Sequence, residues 1–419
     1  MTPYQTAREI YKSADVDTEA ALEKLAKIPV SIHCWQGDDV AGLEKEGAKL
    51  EGAGLAATGN YPGRPRDGTE LRSDLEMAVQ HVPGPVRLNL HACYAERGGA
   101  TVDRDAYLPE HFAHWLDWAQ TREIPIDFNP TFFGHPKAGD GLTLTHPDAG
   151  IRDFWIEHGR ACRRIGESFG KKLGSRCTVN FWIPDGSKDS PSDRLAPRER
   201  LTESLDAIFE EPLDPTWVED AIESKLFGLG SESYVAGSHE FYFGYAVTRQ
   251  KVLCLDSGHF HPTETLADKL SSVLLYTPAV LLHLSRGVRW DSDHVVILED
   301  PTRAVTEEIA RHDLWDRVRI GLDFFDASIN RVAAWIIGTR AAKQAMLAGL
   351  LQPHERLKKL ELEGDFTARL ALMEQMKVLP MGLVWEEFCH RSSCTPEGQW
   401  LREVRSHETS VMRIRGEKS

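Results

Sequence analysis

Residues 252–294 set out His259, His261, His283 and His294 beside Asp256, Asp291 and Asp293. The apolar run VLCL ends at Asp256, and Gly258-His259-Phe260-His261-Pro262 follows. A second apolar run carries His283 and leads to Trp290-Asp291-Ser292-Asp293. Imidazoles and carboxylates at the ends of short apolar segments are what an α/β enzyme uses to hold metal and substrate. The chemistry to expect is that of a divalent-metal site.

Glu223 and Asp323 extend the set from flanking segments. Five carboxylates in one mouth would repel and raise one another's pKa unless cations were present. Imidazoles among them suit manganese, cobalt or zinc better than calcium, which prefers oxygen alone. Spacing suggests two sites. Glu223, Asp256, His283 and Asp323 lie on four successive predicted strands and can close around one ion, while His259 and the Asp291-x-Asp293 pair can hold a second. A lone Asp-x-Asp reads as a solvated turn; beside His259 it reads as ligands. His261, extended before Pro262, also fits a simple loop residue. Lys225 shares a strand face with Glu223 and would stay protonated there, able to stabilise a developing oxyanion; its alternative is a half-exposed strand of alternating charge. Trp35, Trp182, Phe132 and Phe325 offer apolar faces to a ring or sugar, although tryptophan at a strand end also serves plain packing.

These groups need a frame. Apolar runs at 30–35, 87–94, 124–129, 177–183, 221–228, 251–256, 279–286 and 317–323 read as strands. Helical patterns at 68–82, 108–122, 147–170, 194–210, 239–249, 263–276, 301–315 and 327–350 follow them in turn. Eight strand–helix units predict a (β/α)8 barrel over residues 1–350, preceded by one helix at 5–28. All eight strands end in groups able to do chemistry: His33 and Trp35, His91, Asp127 and Asn129, Asn180 and Trp182, Glu223 and Lys225, Asp256, His283, Asp323. Any one could be a satisfied core residue; their coincidence is the signal. Asp185-Gly186 reads as a turn and Asp326 as an N-cap. GAGLAATG is not GxGxxG, which discounts a dinucleotide site. Residues 351–419 carry helical patterns only, an extension expected to serve oligomerisation.

Composition agrees with a folded, soluble enzyme. Apolar residues make up 41% and charged residues 27% of 419, which indicates a sizeable core and no disorder. A net charge of −15 with no basic track argues against nucleic acid. Neither a signal core nor a membrane-length apolar run is present, so no membrane partner is expected and a cytoplasmic location is. Seven scattered cysteines without a CxxC pair suggest free thiols, four of them strand fillers.

The segments SIHCWQGDDV, ATGNYPG, RLNLHA, FWIPDG, ESKLFG, LCLDSGHFHPTE, RWDSDHVV and GLDFFDASINR together resemble the L-rhamnose isomerase family over nearly the whole chain. The resemblance implies an aldose-ketose isomerase on a (β/α)8 barrel with two divalent metal ions per subunit, Mn2+ foremost with Zn2+ or Co2+ as alternatives, assembled as a homotetramer. It implies a structural metal on Glu223, Asp256, His283 and Asp323 and a catalytic metal on His259, Asp291 and Asp293. It also implies substrate contacts from His91, Trp182 and Lys225, with Val40, Tyr94 and Phe325 facing the sugar's methyl group. The expected reaction is a metal-assisted hydride shift between C1 and C2, with Lys225, Asp323 and His91 as catalytic groups and Asp323 orienting the water that passes the hydroxyl proton. Two rival readings are a metal-dependent phosphodiesterase or endonuclease on a related barrel and a non-catalytic sugar-binding barrel.

Overall fold

A computed structural model describes residues 1–44, 58–99, 101–225, 233–261, 263–288 and 291–416. Eight parallel strands form a closed barrel: β1 (Val30–His33), β2 (Val86–His91), β3 (Ile126–Asn129), β4 (Cys177–Trp182), β5 (Val218–Glu223), β6 (Val252–Asp256), β7 (Val280–Leu284) and β8 (Val318–Leu322). Each pairs with its sequence neighbours, and β8 closes onto β1 through Ser31 and Gly321. Helices α1 (Pro3–Ser13) and α2 (Thr18–Leu25) precede the barrel. The helices that follow the strands are α3 (Gly68–Val79), α4 (Ala113–Thr121), α5 (Ala149–Leu173), α6 (Leu195–Phe209), α7 (His239–Arg249), α8 (Leu266–Val273), α9 (Asp300–Arg311) and α10 (Arg331–Leu350).

Strand alternation sorts the side chains into two environments. On β3, Phe128 turns outward to meet Phe112 and Phe169 edge-on, at 5.0 and 5.5 Å between ring centroids. Asp127 and Asn129 turn inward. Asp127 does not reach the mouth; it seals the barrel floor, accepting from Arg87 at 2.8 Å twice and from Ser31 at 2.7 Å. Arg319 and Glu219 add a second ion pair at that level, 2.9 Å apart. Above it Ala221, Val252, Cys254, Ala279 and Leu281 form a small apolar plug. The inward residues one step further along the strands form the mouth.

Local differences from the sequence reading have local causes. The first helix is two: Asp15 takes a left-handed φ of 63°, and Asp17 caps α2 by accepting from Glu19 and Ala20 amides at 2.9 and 3.3 Å. The strand expected at 221–228 runs from Val218 to Glu223, held by its register with β4 from Cys177↔Val218 to Trp182↔Glu223. Its expected end at 226–228 lies outside the described residues, as do Pro262, Trp290 and most of GAGLAATG. Asn330, not Asp326, caps α10, accepting from the Ala333 amide at 3.0 Å. Asp326 instead accepts from Ser328 at 2.7 Å. Asp185 is no simple turn residue: it is buried and accepts four hydrogen bonds from Thr143 and Thr145 at 2.6–2.9 Å. All seven cysteines are free and buried, but only Cys177 and Cys254 lie in strands; Cys34 and Cys93 follow strand ends.

After α10 come helices α11 (His354–Leu362), α12 (Phe366–Lys377), α13 (Met381–Arg391) and α14 (Trp400–His407), then a π-helical turn (Glu408–Met412) and α15 (Arg413–Gly416). They are not detached. Helix α13 packs on α1 and α10. Buried Arg340 of α10 reaches the Thr395 carbonyl at 3.1 Å and Glu397 at 3.0 Å. No helix among the described residues is long and apolar enough to cross a membrane.

Candidate active site

The C-terminal strand ends surround a concave cavity lined by polar, charged and aromatic side chains. One arc of its wall is charged, carrying Glu223, Lys225, His259, His283, Asp293 and Asp323. The opposite arc is aromatic and amide, from Trp35, His91, Asn129, Phe133, Asn180 and Trp182, with Val40 and Phe325 completing it.

Besides Glu223 and His283 with Cys254, two groups of ligand atoms stand at the charged arc. Glu223, Asp256, His283 and Asp323 each bring one atom within 4.8 Å of the others, and Asp256, His259 and Asp291 do the same. The first is the set that spacing suggested. In the second, Asp256 is shared with the first cluster, and Asp293 stands outside the triad while lining the cavity, its backbone left-handed at φ 46°. Several buried atoms here have no hydrogen-bond partner: Asp256 Oδ2, His259 Nδ1, both His283 ring nitrogens and Asp291 Oδ1. Such groups are costly to bury unsatisfied, and they are the donor types that divalent ions take. The residues fit two metal ions. Gly258 keeps the space open, since a Cβ there would stand 2.5 Å from Asp291 Oδ1 and 3.2 Å from Asp256 Oδ1.

Electrostatics report the same crowding. Burial pushes Asp256 up to about 7. Burial and then Asp291 drive Asp293 well above the carboxylate range. For Asp323 burial acts upward, but His283 outweighs it and holds the carboxyl at about 2. Burial alone would lower His259; Asp256 and Asp291 overcome it and bring the imidazole to about 9. Lys225 is raised against its burial by Asp291 and Asp293. Protons on the acids and the imidazoles balance the five carboxylates here, a role that divalent cations would take over while leaving the imidazoles neutral as ligands.

Lys225 follows the end of β5 rather than lying within it. Its ammonium donates to Asp291 Oδ2, stands 3.4 Å from His259 Nε2 and sits 5.2 Å above the Trp182 ring. Trp35 donates its indole N–H to Asp323 at 2.9 Å. His91 meets the Thr131 hydroxyl through Nδ1 at 3.2 Å, which leaves Nε2 for the cavity, and burial lowers its pKa to about 4. His91 is thus neutral. Tyr94 is not on the cavity wall: it is fully buried behind it and donates to Asp38 at 2.6 Å. Phe132 likewise faces the core, against Trp155 and Phe181, while Phe133 beside it enters the cavity. Both lie beyond β3, where strand alternation no longer tells which side a residue takes. His33 is sealed below, between Phe324 and Trp35, and His261 is an exposed loop residue bonded to Thr263 at 2.7 Å.

The family model for L-rhamnose isomerase (RhaA) matches residues 1–415. The chain belongs to the L-rhamnose isomerase family. L-rhamnose isomerases of Salmonella paratyphi B and Salmonella heidelberg are each 56% identical to it over 409 residues, 98% of this chain and 97% of theirs. That of Salmonella agona is 55% identical over the same span. Among solved structures, an L-ribulose 3-epimerase aligns over 80% of this chain and 97% of its own at 12% identity and a TM-score of 0.45, too remote to bear on function. As a member of the L-rhamnose isomerase family the chain is an enzyme, a metal-dependent isomerase, and neither a nuclease nor an inert sugar-binding barrel.

Proposed function

We propose that this cavity takes open-chain L-rhamnose and interconverts it with L-rhamnulose by moving hydrogen between C2 and C1. The observation that carries the reading is the pair of unsatisfied ligand clusters at the barrel-mouth cavity in a chain of this family. Glu223, Asp256, His283 and Asp323 hold one ion; His259 and Asp291, with Asp256 and Asp293 alongside, hold the other. Manganese is the ion proposed, with zinc or cobalt as substitutes. Bound there, the ions supply Lewis acidity at the sugar oxygens.

The chain's own groups do the rest. Lys225 is kept protonated by Asp291 and stabilises negative charge that builds on the sugar oxygen at C1. Neutral His91 offers Nε2 to a hydroxyl. Asp323, ionised and oriented by the Trp35 indole, accepts from the water that relays the hydroxyl proton. Trp182 and Phe133 wall off solvent and present ring faces to C–H bonds. Val40 and Phe325 face the methyl end, and Tyr94 supports Val40 from behind through Asp38.

The extension from residue 351 is proposed to build a homotetramer, supported by Leu362, Phe366 and Leu370 on its helices and Val378 just after α12, which expose more than half of their surface. Seven buried free thiols support a reducing, cytoplasmic setting. The decisive assay follows ketose formation from L-rhamnose before and after EDTA, and again after Mn2+ is returned. Loss and recovery are expected; isomerisation that survives full chelation overturns the reading. Running the reaction in tritiated water tests the hydrogen's path, since substantial label at C1 of the product replaces a direct shift by an enediol.

A further inference from the structure

Val40 takes a backbone conformation that its side chain disfavours. Its φ is 59°, and Asp39 before it has φ 60°. Two consecutive left-handed residues without glycine are uncommon, and a β-branched one is a true outlier. Such a conformation persists only where its surroundings over-determine it. Here they do. Arg331, 2% exposed at the start of α10, grips Asp39 with two bonds of 2.9 and 2.7 Å. Asp38 accepts from Tyr94 at 2.6 Å and from the Gly42 amide at 2.9 Å. The Val40 amide donates to the Trp35 carbonyl at 3.1 Å. Gln36 ties the segment to the chain beside Phe325, bonding both backbone groups of Asp326 at 3.0 and 2.8 Å.

This apparatus presents Val40 to the cavity, where it is the one aliphatic side chain among the described lining residues. L-rhamnose has one apolar substituent, the C6 methyl; L-mannose carries a hydroxymethyl there and is otherwise the same sugar. Resting on the function proposed above, we infer that Arg331 is a positioning residue: through its bidentate pair with Asp39 it holds Val40 against C6 and sets the preference for the methyl sugar. An unconstrained segment would relax toward an ordinary backbone conformation, withdraw the valine methyls and admit the added hydroxyl with its water. A hydrophobic pocket can reject such an added hydroxyl by about 100-fold at most, so the available discrimination is modest and sensitive to position.

The test compares kcat/KM for L-rhamnose and L-mannose in the full-length, Mn2+-loaded enzyme. Arg331→Lys keeps the charge and loses the fork; Asp39→Asn keeps tolerance of the left-handed conformation and loses the ion pair. Each is expected to lower the L-rhamnose to L-mannose ratio by about fivefold or more, chiefly through KM for L-rhamnose. Val40→Gly, which adopts the conformation freely, should lower it too. In that background Arg331→Lys should lower it no further, because the residue it positions is gone. Ratios equal to wild type, or rates on both sugars that fall in parallel, overturn the inference. Should Arg331→Lys fail to fold, Asp39→Asn decides the matter. A wild type inert on L-rhamnose defeats the functional reading and this inference with it, whereas an active wild type with unchanged ratios in the variants defeats this inference alone.

Discussion

At the scale of single residues the site is organised by what its side chains lack. His283 and Asp256 are buried with unpartnered ligand atoms, and the nearby ammonium of Lys225 is already engaged by Asp291. That pairing keeps Lys225 charged, so its contribution should appear in the barrier. Lys225→Met is expected to lower kcat by about 100-fold or more with a small change in KM, the cost of removing one preorganised oxyanion donor. Steady-state kinetics at saturating Mn2+ check this, and an effect confined to KM reassigns Lys225 to plain binding. Gly258 offers a second test at a residue with no functional group. Its missing Cβ leaves room for Asp291 and Asp256, so Gly258→Ala should weaken metal binding and activity by about 10- to 100-fold while the barrel stays folded. Metal titration beside circular dichroism separates the two outcomes.

At the scale of elements, helix α10 joins the barrel to the extension and carries three buried cations. Arg331 and Arg340 have carboxylate partners in Asp39 and Glu397. Lys343 donates to the Pro85 carbonyl at 2.8 Å with no carboxylate partner among the described residues, and burial pulls its pKa down from 10.5 to about 7. Its folded value lies below its unfolded value, so between pH 7 and 10.5 the unfolded chain binds a proton that the folded chain does not. Stability therefore gains from this group as pH rises through that window, by up to about 1.4 kcal/mol per pH unit, and the full penalty remains below pH 7. Lys343→Met should flatten the rise in unfolding free energy between pH 7 and 9 relative to wild type. Parallel pH profiles for the two proteins in denaturant melts would contradict it.

For the whole molecule, metal binding and folding are one equilibrium. Ions that bind only the assembled mouth stabilise it by about 2.7 kcal/mol at a hundredfold excess over Kd. Chelation should therefore lower Tm as well as activity, and returned Mn2+ should restore both; a Tm indifferent to EDTA would mean that the clusters hold no ion. Association should rest on the exposed apolar side chains of α11 and α12. Leu362→Asp with Phe366→Asp is expected to shift sedimentation toward smaller species, and an unchanged mass distribution would move the interface elsewhere.

The (β/α)8 barrel is legible in the order of the residues, because eight apolar runs alternating with helical patterns have few other ways to bury their faces. The shared inward face of Glu223, Asp256 and His283 is legible in the same way, since period-two alternation places strand residues inside or outside, while Asp323 stands one residue past β8. Alternation says nothing once a strand has ended. Beyond those ends, contacts between distant segments bring Phe133 rather than Phe132 into the cavity, set Tyr94 behind Asp38, and let Asp256 serve both clusters. Depth within the barrel was equally hidden: Asp127 shares the inward face with Asn129, yet Arg87 draws it to the floor. Local pattern tells a residue which side of its strand to take, while long-range partners such as Arg331 and Asp39, almost three hundred residues apart in the chain, decide what that side contains.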